Sequence, residues 1–292
     1  MRLFITGGSG FIGSYVLSAA LNAGHDVRAL RRSPMASTAI PLSREPEWLE
    51  GDLDSLTSAM FEDVDAVIHL ASAGVSPQHA SWSELVKTNI EGSLRLLQLA
   101  TESGISRFVV AGSCHEYGNT ARRHDSIPPN APLEPINSYG ASKAAAFQLI
   151  RVFAIKHHLE LFYGRIFTAF GEGQFANNFW PSLRSAALSG EDFAMTAGQQ
   201  VSDFIPATMV AIHLLNGCTR ADIPPGVPLV VNIGSGIAMS LLSFAEKEWK
   251  RLKASGSILP NKLPYRLDQI ERYVPDLRGL EPMNTSQADR ST

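Results

Sequence analysis

Cysteine is scarce in this chain, which has only Cys114 and Cys218 among 292 residues. Two thiols at this separation form neither a metal-ligand spacing nor a disulfide framework, so no metal is expected. Proteins of reducing compartments have little use for disulfides. The cysteine content therefore favours the cytoplasm.

The chain also lacks a strong charge bias and long apolar runs. Its net charge is −3 and its pI is near 6.2, and basic runs are as short as Arg31-Arg32 and Arg122-Arg123. Nucleic acids and anionic membranes select basic surfaces, so neither is expected as a partner. Apolar stretches fall far below the length that spans a bilayer. The N-terminus begins as a strand with one basic residue, so no cleaved signal is expected there.

What remains is a balanced globular composition, 45% hydrophobic and 18% charged. Strand-like runs alternate with helical patterns, without internal repeats, which predicts an α/β fold with a doubly wound parallel sheet. Beyond about Gly171 the alternation loosens, which predicts a smaller C-terminal lobe. The predicted sheet domain covers 1–170 with 201–236 returning to it, and the predicted lobe covers 171–200 and 237–292.

The most informative stretch opens the chain, where the run Leu3-Phe4-Ile5 leads through Thr6 into GGSGFIG. Gly8, Gly10 and Gly13 fit G-x-G-x-x-G, whose glycines allow a tight turn, close approach to a pyrophosphate and close helix–strand packing. The first N–H groups of the following helix favour an anion. These features predict a dinucleotide site. Its predicted contacts here are Gly7, Gly10, Phe11, Ile12 and Gly13.

The end of the second predicted strand, 26–30, bears on the choice of cofactor. NAD sites place an acidic residue about 20 positions after the glycine turn, whereas an arginine nearby accommodates the 2′-phosphate of NADP. Arg31 stands at the acidic position and Arg32 follows it. The sequence therefore favours NADP(H), with NAD(H) as the alternative. Further predicted cofactor contacts are Asp52, which is equally a plain turn residue, and Leu53, Leu70 and Ala71.

The next strands lead to the predicted chemistry. Residues 82–102 have apolar positions at helical spacing, interrupted by Asn89, which is either a buried amide or a brace for the catalytic strand. The strand 107–111 brings Ser113 to the carboxyl edge of the sheet, where open α/β sheets bind ligands.

Tyr139 and Lys143 lie one turn apart at the start of an alanine-rich helix and so share a face. An ammonium beside a phenol favours the phenolate, which predicts a lowered pKa for Tyr139. Such a tyrosine exchanges a proton with a hydroxyl or carbonyl group. Ser113 adds a second hydrogen bond to the same oxygen.

Together these features resemble the extended short-chain dehydrogenase/reductase family of nucleotide-sugar epimerases, dehydratases and reductases. The matching segments are GGSGFIG, HLAS at 69–72, Asn89, SCHEYG at 113–118, YGASK at 139–143, GRIFTAFGEG at 164–173, DFI at 203–205 and NIGSG at 232–236. The resemblance implies a Rossmann domain, a catalytic group of Ser113, Tyr139 and Lys143, with Lys143 also on the cofactor ribose, and a lobe for a nucleoside-diphosphate sugar. It also implies a homodimer formed through helices 82–102 and 139–158.

Departures from the family pattern separate the activities. Sugar 4,6-dehydratases have an Asp-Glu pair directly after the catalytic hydroxyl residue, where this chain has Cys114 and His115. Dehydratase activity is therefore not expected. Relatives resembling GDP-fucose synthase have a cysteine acid/base at the position of His115, so His115 is either an acid/base group or only a substrate contact.

Two further departures concern the substrate diphosphate. The usual arginine before Asp203 is Ser202, and a usual asparagine is Thr168. Asn177 and Arg266 are the candidates to replace them, and each is equally a surface residue.

These patterns predict an NAD(P)-dependent enzyme that reduces a nucleoside-diphosphate 4-keto-6-deoxyhexose for deoxysugar biosynthesis. One alternative is a nucleotide-sugar 4-epimerase with tightly bound NAD. Another is a regulator that binds a dinucleotide without turnover, although the intact catalytic group argues against it.

Overall fold

The computed structural model describes residues 1–75, 80–265 and 269–280. Its largest sheet has seven parallel strands. They are β1 (Arg2–Thr6), β2 (Asp26–Arg31), β3 (Glu47–Glu50), β4 (Ala66–His69), β5 (Arg107–Ser113), β6 (Glu160–Ile166) and β10 (Leu229–Ile233). Their order, β10-β6-β5-β4-β1-β2-β3, reverses direction beside β1 and confirms the predicted doubly wound Rossmann sheet.

Helices cover both faces of this sheet. They are α1 (Phe11–Asn22), α2 (Trp82–Leu85), α3 (Ser93–Glu102), α4 (Ser138–Lys156) and α6 (Ala207–Asn216). Successive residues of a strand point to opposite faces. Leu3 and Ile5 therefore enter the core under α1 and α6, whereas Phe4 enters the core under α3 and α4. Burial on both faces explains why the central strands β1, β4, β5 and β6 have long apolar runs.

A smaller sheet follows the Rossmann layers. It contains β7 (Thr168–Phe170), β9 (Val201–Pro206), β11 (Ala238–Ser240) and β13 (Arg272–Tyr273). Beside it lie α5 (Phe179–Ser189), α7 (Leu241–Arg251) and a two-stranded sheet of β8 (Phe193–Ala194) and β12 (Ile258–Leu259). The segments 168–170 and 201–206, predicted to belong with the large sheet, pair within the smaller one. The division into domains otherwise stays a prediction.

The predicted helix 82–102 is interrupted by a π-helical segment, Val86–Gly92. Asn89 lies inside this segment, and its amide bonds outside the helix, to Ala73 and Ser142. π-Helical turns of this kind occur often at functional sites.

No helix within the described ranges is both long and apolar enough to span a membrane. The predicted substrate contact Arg266 and the polar tail 281–292 lie outside the described residues.

Candidate active site

The glycine turn has the geometry that a pyrophosphate requires. Gly7 has φ +71°, and a Cβ there would lie 2.6 Å from Ala71 N, while a Cβ at Gly13 would collide with Gly7 O. Gly10 is exposed and forms the N-cap of α1. In the described chain, the first N–H groups of α1 have neither a side-chain cap nor an acidic neighbour in the first turn. The turn therefore fits an anionic phosphate at the positive end of the helix.

The remaining predicted cofactor contacts surround this turn. Phe11 and Ile12 are half-exposed at the start of α1. The N–H groups of Leu70 and Ala71 donate to Thr6 Oγ1 over 3.3 Å, which holds the end of β4 against the turn.

Arg31 lies at the end of β2, where its guanidinium contacts β3. It lies 5.0 Å from the centre of the Trp48 ring, and its Nη2 is 3.8 Å from Glu50. Arg31 Nε is buried without a hydrogen-bond partner among the residues described. Arg32 follows on the surface. Their contact with a cofactor phosphate stays a prediction.

Asp52 has a local structural role. Its Oδ1 accepts hydrogen bonds from Asp54 N and Ser55 N, which stabilises the turn after β3. Leu53 is buried in the core under α3. Contacts of both residues with a cofactor stay predictions.

His69 joins the glycine turn to the helical layer through a directed hydrogen-bond chain. Ser93 Oγ donates to Asn89 O, so it must accept from His69 Nε2 over 2.8 Å. His69 Nδ1 then accepts from Thr6 Oγ1 over 2.7 Å. The neutral imidazole with its proton on Nε2 satisfies every step, and burial lowers the pKa of His69 to about 3.

Acidification is expected to destabilise the fold through His69 and His213. Burial lowers the pKa of His213 to about 4, whereas an unfolded histidine titrates near 6.5. The unfolded state binds more protons in this interval. The contribution of these two histidines to the free energy of unfolding is therefore fully present above about pH 6.5. Below that pH it decreases toward pH 4 by about 1.4 kcal/mol per pH unit for each imidazole.

Urea unfolding at about pH 7 and about pH 5 measures this loss. His69→Gln removes one of the two titrations, so we expect a weaker pH dependence in that variant. Equal unfolding free energies at the two pH values in the unmodified protein would contradict the prediction.

The three predicted catalytic residues meet at the carboxyl edge of the sheet. Ser113 ends β5, and Tyr139 lies at the start of α4, which Asn137 caps by accepting from Gly140 N over 2.7 Å. The Tyr139 hydroxyl lies close enough to the Ser113 side chain for Ser113 to lower its pKa in part. Lys143 is buried, and its Nζ donates to Ala111 O over 2.8 Å.

The predicted lowering of the Tyr139 pKa is wrong for this structure. Burial raises the pKa of the phenol, and the hydrogen bonds with Ser113 and Ser72 oppose this increase only in part. Burial also lowers the pKa of Lys143. The Lys143 ammonium donates to a backbone carbonyl of β5. Burial is therefore the largest influence on the pKa of the Tyr139 phenol. Tyr139 is consequently a proton donor in this state.

Asn89 is a buried amide bonded to backbone, which is one of the two roles expected for it. Its Oδ1 accepts from Ala73 N over 2.8 Å, and its Nδ2 donates to Ser142 Oγ over 2.8 Å. Ser142 Oγ in turn donates to Tyr139 O. Asn89 therefore ties the loop after β4 to the first turn of α4.

His115 lies at the rim of the site. Its ring centre is 5.9 Å from that of Tyr139 and 6.3 Å from that of Tyr273, and its Nδ1 is 3.4 Å from Asn137 Nδ2. This position suits a substrate contact and also proton exchange. Tyr273 on β13 was missed by sequence reasoning because no motif marks it and it lies far away in the chain.

A buried polar network below Ser113 was also missed. Glu116 Oε1 accepts from Ser113 N over 2.8 Å, and Glu116 Oε2 accepts from Arg165 Nε over 2.6 Å. Glu116 lies in the family-like segment SCHEYG and Arg165 in GRIFTAFGEG. A charged residue in each of two segments expected to be buried was the sequence signal for an ion pair.

The remaining candidates are more distant from this group. Asn177 is exposed two residues before α5, and its predicted substrate contact stays a prediction. Asp203 is fully buried, with Oδ1 accepting from Ser235 N over 2.6 Å and Oδ2 from Gly236 N over 2.7 Å. The DFI and NIGSG segments therefore meet in a structural contact that joins β9 to the turn after β10.

The glycine turn, the predicted catalytic residues and the sheet order fit a dinucleotide-binding enzyme. The chain belongs to the NAD dependent epimerase/dehydratase family, whose model matches residues 3–231. The resemblance to nucleotide-sugar epimerases and dehydratases is confirmed, and so is the expectation of an enzyme.

Individual relatives of this chain include both epimerases and dehydrogenases of nucleotide sugars. UDP-glucose 4-epimerase of Azospirillum brasilense is 32% identical over 241 residues, which cover 79% of this chain and 59% of that enzyme. The dTDP-6-deoxy-L-talose 4-dehydrogenase (NAD(+)) of Aggregatibacter actinomycetemcomitans is 29% identical over 224 residues, which cover 73% of this chain and 78% of that enzyme. Among solved structures, MoeE5 in complex with UDP-glucuronic acid and NAD is 28% identical, with a TM-score of 0.81 over 95% of this chain and 90% of that chain.

Proposed function

We propose that the protein reduces the 4-keto group of a nucleoside-diphosphate 4-keto-6-deoxyhexose to a hydroxyl group, with NADPH as the preferred reductant. When bound, the nicotinamide cofactor supplies the hydride. The observation that carries the proposal is the buried Tyr139 phenol beside Ser113 at the edge of the sheet. Burial raises the pKa of the phenol and so favours its proton-donor form, and ketone reduction requires a proton at the carbonyl oxygen.

The residues divide the work as follows. Tyr139 Oη donates its proton to the sugar C4 oxygen, and Ser113 Oγ donates a hydrogen bond to that oxygen as negative charge develops. The Lys143 ammonium favours the phenolate that remains. Cys114 and His115 stand where dehydratases have an acid pair, and burial raises the pKa of Cys114 to about 12. An elimination step is therefore not proposed.

The test uses purified protein, NADPH and a freshly prepared 4-keto-6-deoxyhexose nucleotide. We expect the reduced-nicotinamide absorbance to decrease and a 4-hydroxy sugar nucleotide to form. If no such ketone oxidises NADPH, the proposed reduction is wrong.

A 4-epimerase is the second candidate, favoured by the similarity to the Azospirillum brasilense enzyme. An epimerase recycles its cofactor, so the protein would retain NAD on purification and interconvert two sugar nucleotides without net redox change. Extraction of the cofactor from the purified protein separates the two functions.

For cofactor choice, we expect NADPH to bind about 10–100-fold more tightly than NADH, since a charged hydrogen bond to the 2′-phosphate contributes about 1.5–3 kcal/mol. Arg31 and Arg32 are the proposed donors. Arg31→Ser should remove most of the preference, measured by calorimetric titration with each dinucleotide. Arg278→Gln alters an exposed arginine near the C-terminus and should leave the ratio unchanged. Equal affinities in the unmodified protein would overturn the NADPH preference.

A homodimer is proposed from an exposed apolar face. Leu149, Val152 and Ile155 on α4 are 39–47% exposed. Trp82 on α2 and Val86, which follows α2, are 66% and 40% exposed. Their spacing places each set on one side of its helix. A glutamate in such a contact leaves a charge unpaired.

We expect Val152→Glu to convert a dimer into a monomer in sedimentation velocity. Leu188→Glu places the same charge on α5, where Leu188 is 58% exposed, and should leave the dimer intact. A monomeric unmodified protein would disprove the proposed dimer.

A further inference from the structure

A buried ion pair lies next to the catalytic group, and the proposed chemistry uses neither partner. The Glu116 side chain is 0% exposed and the Arg165 side chain is 1% exposed. Desolvation of two charges often costs as much as their attraction returns, so a buried pair is a weak device for stability alone. Its position suggests a different role.

Glu116 contacts the strand that carries the catalytic hydroxyl. Its Oε1 accepts from the Ser113 N–H and from the Tyr163 hydroxyl, each over 2.8 Å. A Cβ on Gly112 would lie 2.8 Å from the same oxygen and even closer to the Tyr163 ring. The glycine therefore makes room for the carboxylate, which fixes the last peptide group of β5.

Arg165 holds this carboxylate in place and reaches α4. Its Nη1 donates to the Tyr117 hydroxyl over 3.1 Å and to Pro129 O over 2.9 Å. Its guanidinium carbon lies 4.3 Å from the centre of the Phe147 ring. Phe147 is one helical turn after Lys143 on α4. The pair is therefore packed between β5, β6 and the helix that carries Tyr139 and Lys143.

We propose that Glu116 is a positioning residue: its carboxylate, held by Arg165, fixes Ser113 and supplies the negative charge that faces the Lys143 ammonium and the Tyr139 phenol. The proposal deepens the proposed function and rests on it for the roles of these three residues.

The electrostatics of the neighbourhood agree with this role. The titratable or charged groups that act on Lys143 and Tyr139 or are packed beside them are His69, Cys114, His115, Glu116, Tyr163 and Arg165. Burial lowers the pKa of Lys143, and Glu116 opposes that decrease. Burial and Glu116 both raise the pKa of Tyr139. The carboxylate thus favours the protonated form of both groups.

The test is Glu116→Gln, which keeps the shape and removes the charge. We expect Lys143 and Tyr139 to lose their protons at lower pH, with each midpoint shifted down by about one pH unit, a tenfold change in proton affinity. The pH dependence of the dinucleotide dissociation constant measures Lys143. Ultraviolet difference titration, with and without Tyr139→Phe in the same background, isolates the phenol.

Glu248→Gln is the matched control. Glu248 is 4% exposed and is bonded to Arg251 and Trp180 in the other lobe, so its variant should leave both midpoints unchanged. If Glu116→Gln does not fold, the double variant Glu116→Gln with Arg165→Gln removes both charges and should still show the downward shift.

Midpoints equal to those of the unmodified protein, or an equal shift in Glu248→Gln, would overturn the proposal. Neither readout requires a sugar substrate. If the midpoints move but no 4-keto sugar is reduced, the proposed substrate is wrong and the role of Glu116 stands.

Discussion

Tyr139→Phe is expected to decrease turnover of the 4-keto sugar nucleotide roughly 10²–10⁴-fold, which is the usual contribution of a positioned acid. The phenyl ring keeps its packing at the start of α4, whereas the proton donor is lost. Dinucleotide affinity should therefore remain within about threefold of the unmodified protein. Steady-state kinetics and calorimetric binding give the two quantities separately.

Tyr273→Phe is the matched control for this experiment. The Tyr273 hydroxyl lies 3.4 Å from Gly118 O and its ring faces His115, so this variant removes a phenol at the rim of the site without removing the proposed acid. If turnover decreases as much in Tyr273→Phe as in Tyr139→Phe, the assignment of Tyr139 as the proton donor is contradicted.

The second large effect is expected in stability. Arg165→Gln leaves the Glu116 carboxylate buried without its countercharge, which should decrease the free energy of unfolding by about 3–5 kcal/mol. Urea unfolding followed by circular dichroism measures the loss.

Arg123→Gln is the control, since Arg123 and Glu134 form an ion pair over 2.7 Å in which the two side chains are 54% and 41% exposed. Exposed pairs contribute at most about 1 kcal/mol. If the free energy of unfolding decreases by similar amounts in the two variants, the predicted cost of leaving Glu116 buried without its countercharge is wrong.

Local signals in the sequence were enough to predict the class of the large sheet and several of its strands, although not β3. Glycines whose close contacts are local, such as Gly13 against Gly7 O, and apolar runs such as Leu3-Phe4-Ile5 depend on near neighbours in the chain. The same holds for Tyr139 and Lys143, whose spacing alone places them on one helix face.

Features that depend on distant contacts were not predictable in this way. The π-helical turn at Asn89 follows from hydrogen bonds with Ala73 and Ser142, which are 16 and 53 positions away. The Tyr139 pKa follows from burial that no local pattern records. Pairing of β9 with β7, β11 and β13 likewise required the complete fold.

The strands of the smaller sheet come from separated parts of the chain. The chain leaves the Rossmann layers after β6, returns to them at α6, and leaves again after β10, and the strands at these three passages, β7, β9 and β11, are hydrogen-bonded neighbours. These three segments of the chain therefore meet in one small sheet, in which β9 pairs with both β7 and β11. Each sheet is built from separated parts of the chain, so the seven-stranded sheet is complete only when synthesis has passed β10, and the smaller sheet only when it has passed β13.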